Sequence, residues 1–375
     1  MRMTKHAPNT PEPDLWRSNG GTETVLFDMA KGLPVRNVIG VGDPDIHLLD
    51  GRWTMFLGGF TTGFAVRIFE ARLPVGDELD SDRWALRTAP GRPRRAAQLF
   101  TPPRLGSWDS HGTHTPSYVS GRSARGTPAQ RIYYAGRSTI RNGGPGSRYA
   151  IGAAELQEGR WIRRASPVLT GDSRRPSAFE PLVRYEGGTW RIWYLSAPNE
   201  VGRDEQPDYE LRYRESADGL TQWSAPTTLF TSDEGYFDNT VHPVDGGFEM
   251  LLARGSNLYG TKPYPRQGLW WARSHVPSGT RADWTADPVR ILDAETAPPW
   301  WLERGAFGPE FHYGRRATDE TTMYVFTSGT SAATPWLRSA IQRLRERKLP
   351  PAPTPFILSV GRLTIPHAGG TLHGE

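Results

Sequence analysis

A short strand headed by a proline, followed by a hairpin whose second strand is rich in large apolar residues, recurs five times along this chain. The first copy occupies residues 43–59, and its Asp50-Gly51 pair is a strong hairpin signal between two strands. The marker prolines of the five copies lie 62 to 72 residues apart, at Pro44, Pro116, Pro181, Pro243 and Pro309. Such regular spacing indicates one structural unit repeated five times.

Each unit offers about four short strands. A third strand follows the hairpin, as in residues 64–69, 149–154 and 209–213, and a tryptophan often comes next, at Trp84, Trp161, Trp223 and Trp284. Four-stranded antiparallel units arranged radially form a β-propeller whose innermost strands line a central channel. The sequence therefore predicts an all-β, five-bladed β-propeller with four-stranded antiparallel blades over residues 37–330.

The flanking segments lack the repeat. Residues 1–36 are expected to form an N-terminal arm. Residues 331–375 are expected to hold a short amphipathic helix over 336–348, a proline-rich connector and a strand over 356–365 that closes the ring. Residues 23–27 also have the composition of a strand and compete for that ring-closing place.

Composition agrees with a β protein of many turns and excludes some kinds of site. The 375 residues include 41 Gly, 33 Pro and 14 Trp, which suits turns and aromatic strands. The absence of cysteine excludes disulfides and thiolate metal sites and fits a reducing compartment. We see neither a signal peptide nor an apolar run of membrane-spanning length, so we expect a cytoplasmic protein.

The net charge of +5 comes largely from arginines scattered along the chain. Without a dense basic block or a recognisable nucleic-acid module, neither nucleic acid nor a membrane is expected as a partner. The expected partner is a small-molecule carbohydrate or sugar-like substrate, and the sequence leaves the oligomeric state open.

The residues just before the marker prolines carry the candidate chemistry; they are Asp43, Thr115, Glu180, His242 and Gly308. In a propeller the heads of the innermost strands converge at one mouth of the channel, so Asp43 and Glu180 would face each other there. Glycosidic bond cleavage needs such a pair, since one carboxyl protonates the leaving oxygen and the other activates water or attacks. A turn-forming role is the competing structural explanation for an aspartate before a proline.

Two stretches resemble motifs of the five-bladed propeller glycoside hydrolases, especially family 43 and its relatives in families 32, 62, 68 and 130. Residues 43–59, DPDIHLLDGRWTMFLGG, resemble the first-blade motif, and residues 179–196, FEPLVRYEGGTWRIWYLS, resemble the third-blade motif. The resemblance implies that Asp43 is the catalytic base, or the nucleophile of a retaining enzyme, and that Glu180 is the general acid. It implies cleavage of a small soluble glycoside or oligosaccharide.

The second blade departs from that family pattern. The resemblance implies an aspartate before the second marker proline, which would orient the acid and tune its pKa, but this chain has Thr115. Asp109 and His114 are the nearest candidates to replace it. Asp109 is therefore assigned as a supporting catalytic residue, and His114 and Thr115 as substrate-binding residues.

Four further residues are assigned to substrate binding. His242 and Glu310 flank the fourth and fifth marker prolines, whereas Trp300 and Trp301 precede the fifth inner strand in a loop that suits stacking on a sugar. Neither a cofactor nor a dedicated metal site is assigned. The resemblance leaves a channel metal ion open, because a channel histidine helps to hold an ion or water in some relatives.

A loop metal site and two other functions remain as alternatives. Asp109, His111 and His114 have donor types and spacing that suit a metal. The propeller could instead bind a sugar-like ligand without hydrolysis, or perform another acid–base step in small-molecule metabolism. A minor alternative is a subtilisin-like serine protease, because residues 111–114 and 329–335 resemble the histidine and serine motifs of that family, with Ser331 as the nucleophile. Against it, no aspartate motif for a third triad member lies upstream.

Overall fold

The computed structural model describes residues 14–139, 148–198, 208–255, 267–315, 321–332, 336–348 and 356–367. Two α-helices, α1 (Leu15–Ser18) and α2 (Trp336–Arg345), and three single-turn 3₁₀ helices, Ser232–Glu234, Arg281–Asp283 and Trp300–Leu302, accompany a chain made mostly of strands. The strands are β1 (Thr22–Phe27), β2 (Val38–Leu49), β3 (Arg52–Thr61), β4 (Val66–Arg72), β5 (Ala85–Leu86), β6 (Thr88–Ala89), β7 (Arg92–Ala96), β8 (Gly112–Arg122), β9 (Pro128–Arg137), β10 (Tyr149–Gln157), β11 (Arg160–Arg163), β12 (Leu169–Thr170), β13 (Ser177–Glu186), β14 (Thr189–Ala197), β15 (Glu210–Ser216), β16 (Thr227–Phe230), β17 (Tyr236–Val244), β18 (Gly247–Arg254), β19 (Gly268–Ser274), β20 (Val289–Asp293), β21 (Ala306–Arg315), β22 (Thr321–Ala332) and β23 (Phe356–His367).

These strands form five antiparallel blades, which confirms the predicted all-β, five-bladed propeller. In order from the channel outward, the blades are β2-β3-β4-β5, β8-β9-β10-β11, β13-β14-β15-β16, β17-β18-β19-β20 and β21-β22-β23-β1. A single parallel pair, Val66 with Gly112, joins the first two blades into one continuous sheet.

The first hairpin has the turn that its sequence predicts. In the first blade, Asp50 and Gly51 lie in the left-handed region, with φ of 49° and 70°. Two successive left-handed residues make the turn whose twist matches that of the flanking strands, and Asp-Gly is a favoured pair for it. This geometry sets the register of β2 on β3, and thereby which β2 side chains face the channel.

Both candidate ring-closing segments belong to the fifth blade. Strand β23 pairs with β22, and β1 adds to the outer edge of β23. The fifth blade is therefore built from both ends of the described chain, and two of its strands lie outside residues 37–330. Helix α2 lies in the connection between β22 and β23.

Large aromatic side chains fill the spaces within and between the blades. Trp190, Trp193 and Tyr194 of the third blade are almost fully buried, as expected for second-strand aromatics. Their burial removes large apolar areas from water, which is the main stabilising contribution in such a core. In the described part of the chain no helix is long and apolar enough to cross a membrane.

Candidate active site

Five residues, one on each innermost strand, have the same unusual backbone conformation. Asp43, Thr115, Glu180, Asp238 and Gly308 have φ between 45° and 55°, and at each of them the pairing with the second strand shifts register. Such a β-bulge re-aims a side chain, and left-handed backbone at non-glycine residues is a feature of functional sites. We refer to these five residues as the bulge ring.

The bulge ring encircles a pocket. The five ring residues and the two residues that follow each of them form its lining, and the pocket encloses about 390 Å³, including its opening to solvent. The lining has no lysine or arginine but holds five carboxylates, three of them on the ring itself.

The ring corrects the prediction for the fourth blade. The structure places Asp238, not His242, at the position of Asp43 and Glu180. In four blades the residue after the ring residue is the marker proline, which suits a bulge because it has no N–H to donate to the ladder. In the fourth blade Asn239 takes that place, and Pro243 lies farther along β17.

Burial raises the pKa of all three ring carboxyls. For Asp43 burial raises the pKa to about 7, and a hydrogen bond from the Thr115 backbone opposes the rise. For Asp238 burial and the nearby charge of Asp43 raise the pKa to about 7, against a 2.9 Å hydrogen bond from the Gly308 N–H. The pKa of Glu180 is raised well above its usual range by burial, then by Asp238 and then by Asp43. Glu180 is therefore the carboxyl that best retains its proton.

The backbone around Asp43 is held in place from the fifth blade. The Asp43 N–H donates to the Ser328 hydroxyl at 2.6 Å. Gly308 lies against Asp43 so closely that a methyl group on it would be 2.9 Å from the Asp43 Cα and 3.0 Å from Oδ1. The space that Asp43 occupies thus requires a glycine there, and the positive φ, which the other ring residues adopt despite a side chain, favours one.

The second-blade residues lie beside Glu180 but supply no carboxylate. Thr115 is in the ring, and its hydroxyl favours the ionised form of Glu180. His114 Nδ1 lies 4.0 Å from Glu180 Oε1. Burial, with a smaller contribution from Arg137, lowers the pKa of His114 to about 3, so its ring is neutral at ordinary pH.

Asp109 is not part of the pocket, contrary to its predicted supporting role. It is completely buried, and its carboxylate accepts hydrogen bonds from the Ser107 and Tyr134 hydroxyls at 2.9 and 3.0 Å and from Arg163 at 2.5 Å. These bonds occupy the carboxylate within the second blade, which leaves it unsuited to the predicted loop metal site with His111.

The two adjacent tryptophans have opposite environments. Trp301 is fully buried, and its indole N–H donates to Glu23 Oε2 at 2.6 Å, so the prediction that it binds substrate is wrong. Trp300 is 48% exposed, which leaves its ring available to a ligand, although it does not line the pocket.

Sequence reasoning missed a row of aromatic rings next to Glu180. The ring of Tyr149 meets His114 edge-on at 5.6 Å and lies 5.1 Å from Phe179, which in turn contacts Tyr209 at 5.3 Å. Phe179 directly precedes Glu180, so this row fixes the strand that presents the acid. The available signal was Tyr149 at the start of β10 and Phe179 directly before the candidate acid in β13.

His242 and Glu310 belong to a polar cluster farther along the innermost strands. His242 Nε2 is hydrogen-bonded to Glu310 Oε1. The other carboxylate oxygen of Glu310, Oε2, accepts a hydrogen bond from the Thr240 hydroxyl at 3.0 Å. His312 lies 3.3 Å from the same carboxylate and donates to the Ile46 carbonyl at 2.9 Å. Glu310 lines the pocket, and its carboxylate is bound to the His242 and Thr240 side chains.

The donor types of this cluster fit a channel cation. The ligand atoms of His242, Glu310 and His312 lie within 4.8 Å of one another, and two imidazoles with one carboxylate form a usual set for a divalent metal. A bound ion would replace the hydrogen bonds that these side chains now make to each other. The pocket carboxylates Asp43 and Glu180 are not part of this set.

The serine-protease alternative is wrong. Ser331 is buried in β22 of the fifth blade, paired with Ile357, rather than at the start of a helix. His111 lies just before β8 of the second blade. A nucleophile and its base must be within hydrogen-bond reach, and these residues lie on separate sheets.

Comparison with known proteins gives a consistent picture of the fold. No protein-family model and no curated protein matches the sequence. A solved structure described as a glycoside hydrolase matches with a TM-score of 0.57 at 11% identity, covering 96% of this chain and 94% of that one. An α-L-arabinofuranosidase from Lactobacillus brevis matches at 0.53 and 11% identity, with 87% and 92% covered. A GH43_1 enzyme from Xanthomonas citri matches at 0.53 and 11% identity, with 95% and 94% covered.

This chain has the fold of the five-bladed propeller glycoside hydrolases. The resemblance carried by residues 43–59 and 179–196 is confirmed at the level of the fold. At these identities the likeness establishes architecture, and the chemistry has to be argued from the bulge ring.

Proposed function

We propose that this protein is a glycoside hydrolase that cleaves a small glycoside or oligosaccharide by paired-carboxylate catalysis. Glu180 is the general acid that protonates the leaving oxygen. Asp43 is the base that activates water or, in a retaining mechanism, the nucleophile. The observation that carries the proposal is the bulge ring, because it turns both carboxyls into one small pocket from separate blades.

The surroundings of the two carboxyls support this division of roles. Glu180 has two other carboxylates as neighbours, which favours its protonated form. Asp43 accepts a hydrogen bond from the Thr115 backbone, which favours its ionised form. The pKa of Glu180 therefore lies above that of Asp43, and two carboxyls whose pKa values are pushed apart by their environments are what acid–base cleavage of a glycoside requires.

The pocket favours a neutral sugar. Its lining lacks a cationic side chain and holds several carboxylates, so an anionic sugar would be repelled. The Xanthomonas citri enzyme has been solved with xylotriose and with xylose, at TM-scores of 0.53 and 0.52 and 12% identity each. Another structure of the same fold is the α-L-arabinofuranosidase from Lactobacillus brevis. Neutral pentosides are therefore the first substrates to test.

The test is a panel of nitrophenyl glycosides assayed with the wild-type protein, Asp43→Asn and Glu180→Gln. Asp43→Asn should lose about 10²- to 10⁴-fold in kcat/KM on these substrates, the usual contribution of an acid or base. Glu180→Gln should lose as much on the methyl glycoside of the same sugar, whose leaving group needs protonation. The melting temperature of each variant shows that it is folded. Glu186→Gln is the matched control, since it makes the same change at the far end of the Glu180 strand.

Near wild-type rates in Asp43→Asn on any glycoside, or in Glu180→Gln on the methyl glycoside, would contradict the proposal. No turnover of any glycoside, with a sugar that still raises the melting temperature, would favour the non-hydrolytic alternative. The specific observation behind that alternative is Thr115, which occupies the ring position where the resemblance implies an aspartate.

A further inference from the structure

We propose that Asp238 is the third functional carboxylate of this pocket and that it acts through Glu180, from the fourth blade, as the positioning residue that the second blade lacks. The inference rests on the proposed function in one respect, namely that Glu180 is the general acid. It assigns a role to a residue that the marker prolines do not indicate.

The geometry of the ring gives Asp238 access to Glu180. The third blade lies between the second and the fourth, so a ring residue on either neighbour is adjacent to Glu180. Thr115 occupies the second-blade position, and Asp238 occupies the fourth-blade position with the same bulge and the same left-handed backbone. In this chain the third ring carboxylate therefore lies on the fourth-blade side of the acid.

Asp238 is fixed in place with one oxygen left for the pocket. Its Oδ2 accepts the Gly308 N–H at 2.9 Å, whereas its buried Oδ1 has no hydrogen-bond partner among the described residues. Its side chain is more than nine-tenths buried and lines the pocket. A buried carboxylate oxygen without a partner is costly, and such groups are retained in proteins where they act on a ligand or on a reacting group.

The same hydrogen-bond pattern holds the other ring aspartate. The Asp43 carboxylate accepts from the backbone of Thr115, the ring residue of the next blade, just as Asp238 accepts from Gly308, the ring residue of the blade after its own. Both aspartates are thereby held by backbone N–H groups that favour their ionised forms. Glu180 is the ring carboxyl for which no such backbone bond opposes the effect of burial.

Charge then makes Asp238 act on Glu180. The titratable groups that face Glu180 are Asp238, Asp43, His114 and Tyr149. His114 is neutral, and burial raises the pKa of Tyr149 to about 12. Above pH 7, where they are ionised, the two aspartates are therefore the charges that act on Glu180. Of these, Asp238 raises the pKa of Glu180 more than Asp43 does.

The experiment removes this charge and then restores it on the second blade. In Asp238→Asn the alkaline limb of the kcat/KM profile should move down by about one pH unit or more, because the acid loses its proton sooner. Above that limb the activity should fall about tenfold for every pH unit by which the limb has moved. The loss should be large for methyl glycosides and small for dinitrophenyl glycosides, whose leaving groups need little protonation. Thr115→Asp added to Asp238→Asn should return the limb toward its original pH.

Asp245→Asn is the matched control. It removes one carboxylate just beyond the other end of the Asp238 strand, in an exposed turn, and should leave the profile unchanged. A uniform loss on all leaving groups in Asp238→Asn would overturn the proposal, because it would make Asp238 the base or nucleophile. An unshifted alkaline limb would also overturn it.

A titration without substrate separates this inference from the proposed function. In protein labelled with ¹³C at glutamate carboxyls, the Glu180 signal is identified by its loss in Glu180→Gln. Its midpoint should fall in Asp238→Asn and stay fixed in Asp245→Asn. If the midpoint falls in a protein that cleaves no glycoside, Asp238 acts on Glu180 but the proposed hydrolase function is rejected. If the midpoint is unchanged, the action of Asp238 on Glu180 is rejected, whatever the activity.

Discussion

Replacing Gly308 by alanine should disturb Asp43 directly. The new methyl group would lie 2.9 Å from the Asp43 Cα and 3.0 Å from its Oδ1, closer than ordinary van der Waals contact. The left-handed backbone, at φ of 55°, adds about 1–2 kcal/mol for a residue with a Cβ. Forcing a methyl group into a packed site costs about 1–3 kcal/mol more. We therefore expect the free energy of unfolding to fall by about 2–5 kcal/mol.

The same substitution should reduce catalysis, because Asp43 must move by several tenths of an ångström. Misplacing a reacting group by about 1 Å can cost 10²-fold, so a loss of roughly ten- to a hundredfold in kcat/KM is expected. Urea unfolding measures the first effect, and turnover of the best nitrophenyl glycoside measures the second.

Gly51→Ala separates the backbone cost from the contact with Asp43. Gly51 has φ of 70° and no neighbouring atom within 4 Å of the added methyl group, so its variant carries only the backbone cost. The difference between the two variants, about 1–3 kcal/mol, is then the cost of crowding Asp43. Equal losses of stability in the two variants, or an unchanged kcat/KM in Gly308→Ala, would refute this reasoning.

Three further predictions concern the pocket carboxyls, Asp109 and the two adjacent tryptophans. Burial raises the pKa of Glu180 and Asp43, so above about pH 4 the folded protein holds protons that the unfolded chain has released. The free energy of unfolding should therefore fall as pH rises from about 4 to 7. Urea unfolding at pH 5 and pH 8 measures this fall, which should be smaller in Glu180→Gln. Asp109→Ala should lower stability by about 3–5 kcal/mol, because it leaves a largely buried arginine without its partner, yet spare the pH profile of kcat/KM; a shifted profile would return Asp109 to the active site. Trp301→Ala should cost about 3–5 kcal/mol in the same unfolding assay, whereas Trp300→Ala should cost well under 1 kcal/mol, and equal costs would contradict the assigned burial.

The propeller was predictable because its signals are local and repeated. Asp50-Gly51 sets a two-residue turn, and largely buried strands lie on both sides of it. The environments of Asp109 and Trp301 were not predictable, because they depend on contacts with residues distant in sequence. Trp301 donates a hydrogen bond to Glu23, which lies 278 residues away in the sequence. Asp109 accepts one from Arg163, which lies 54 residues away. A residue type that suits a ligand suits a buried partner equally well, and only the fold distinguishes the two.

The missed carboxylate, Asp238, was nevertheless encoded in the spacing of the hairpins. In the first, third and fourth blades the turn begins at Asp50, Gly187 and Asp245, which is seven residues after Asp43, Glu180 and Asp238 respectively. Each of these three inner strands runs from its bulge to a two-residue turn, and register along a strand is set by the turn. The position of the ring residue is therefore found by counting back from the turn. A proline marks the bulge less reliably, because it is merely tolerated there for its lack of an N–H. Counting back from Asp245-Gly246 leads to Asp238 and not to His242, and it places a third carboxyl beside Glu180 from sequence alone.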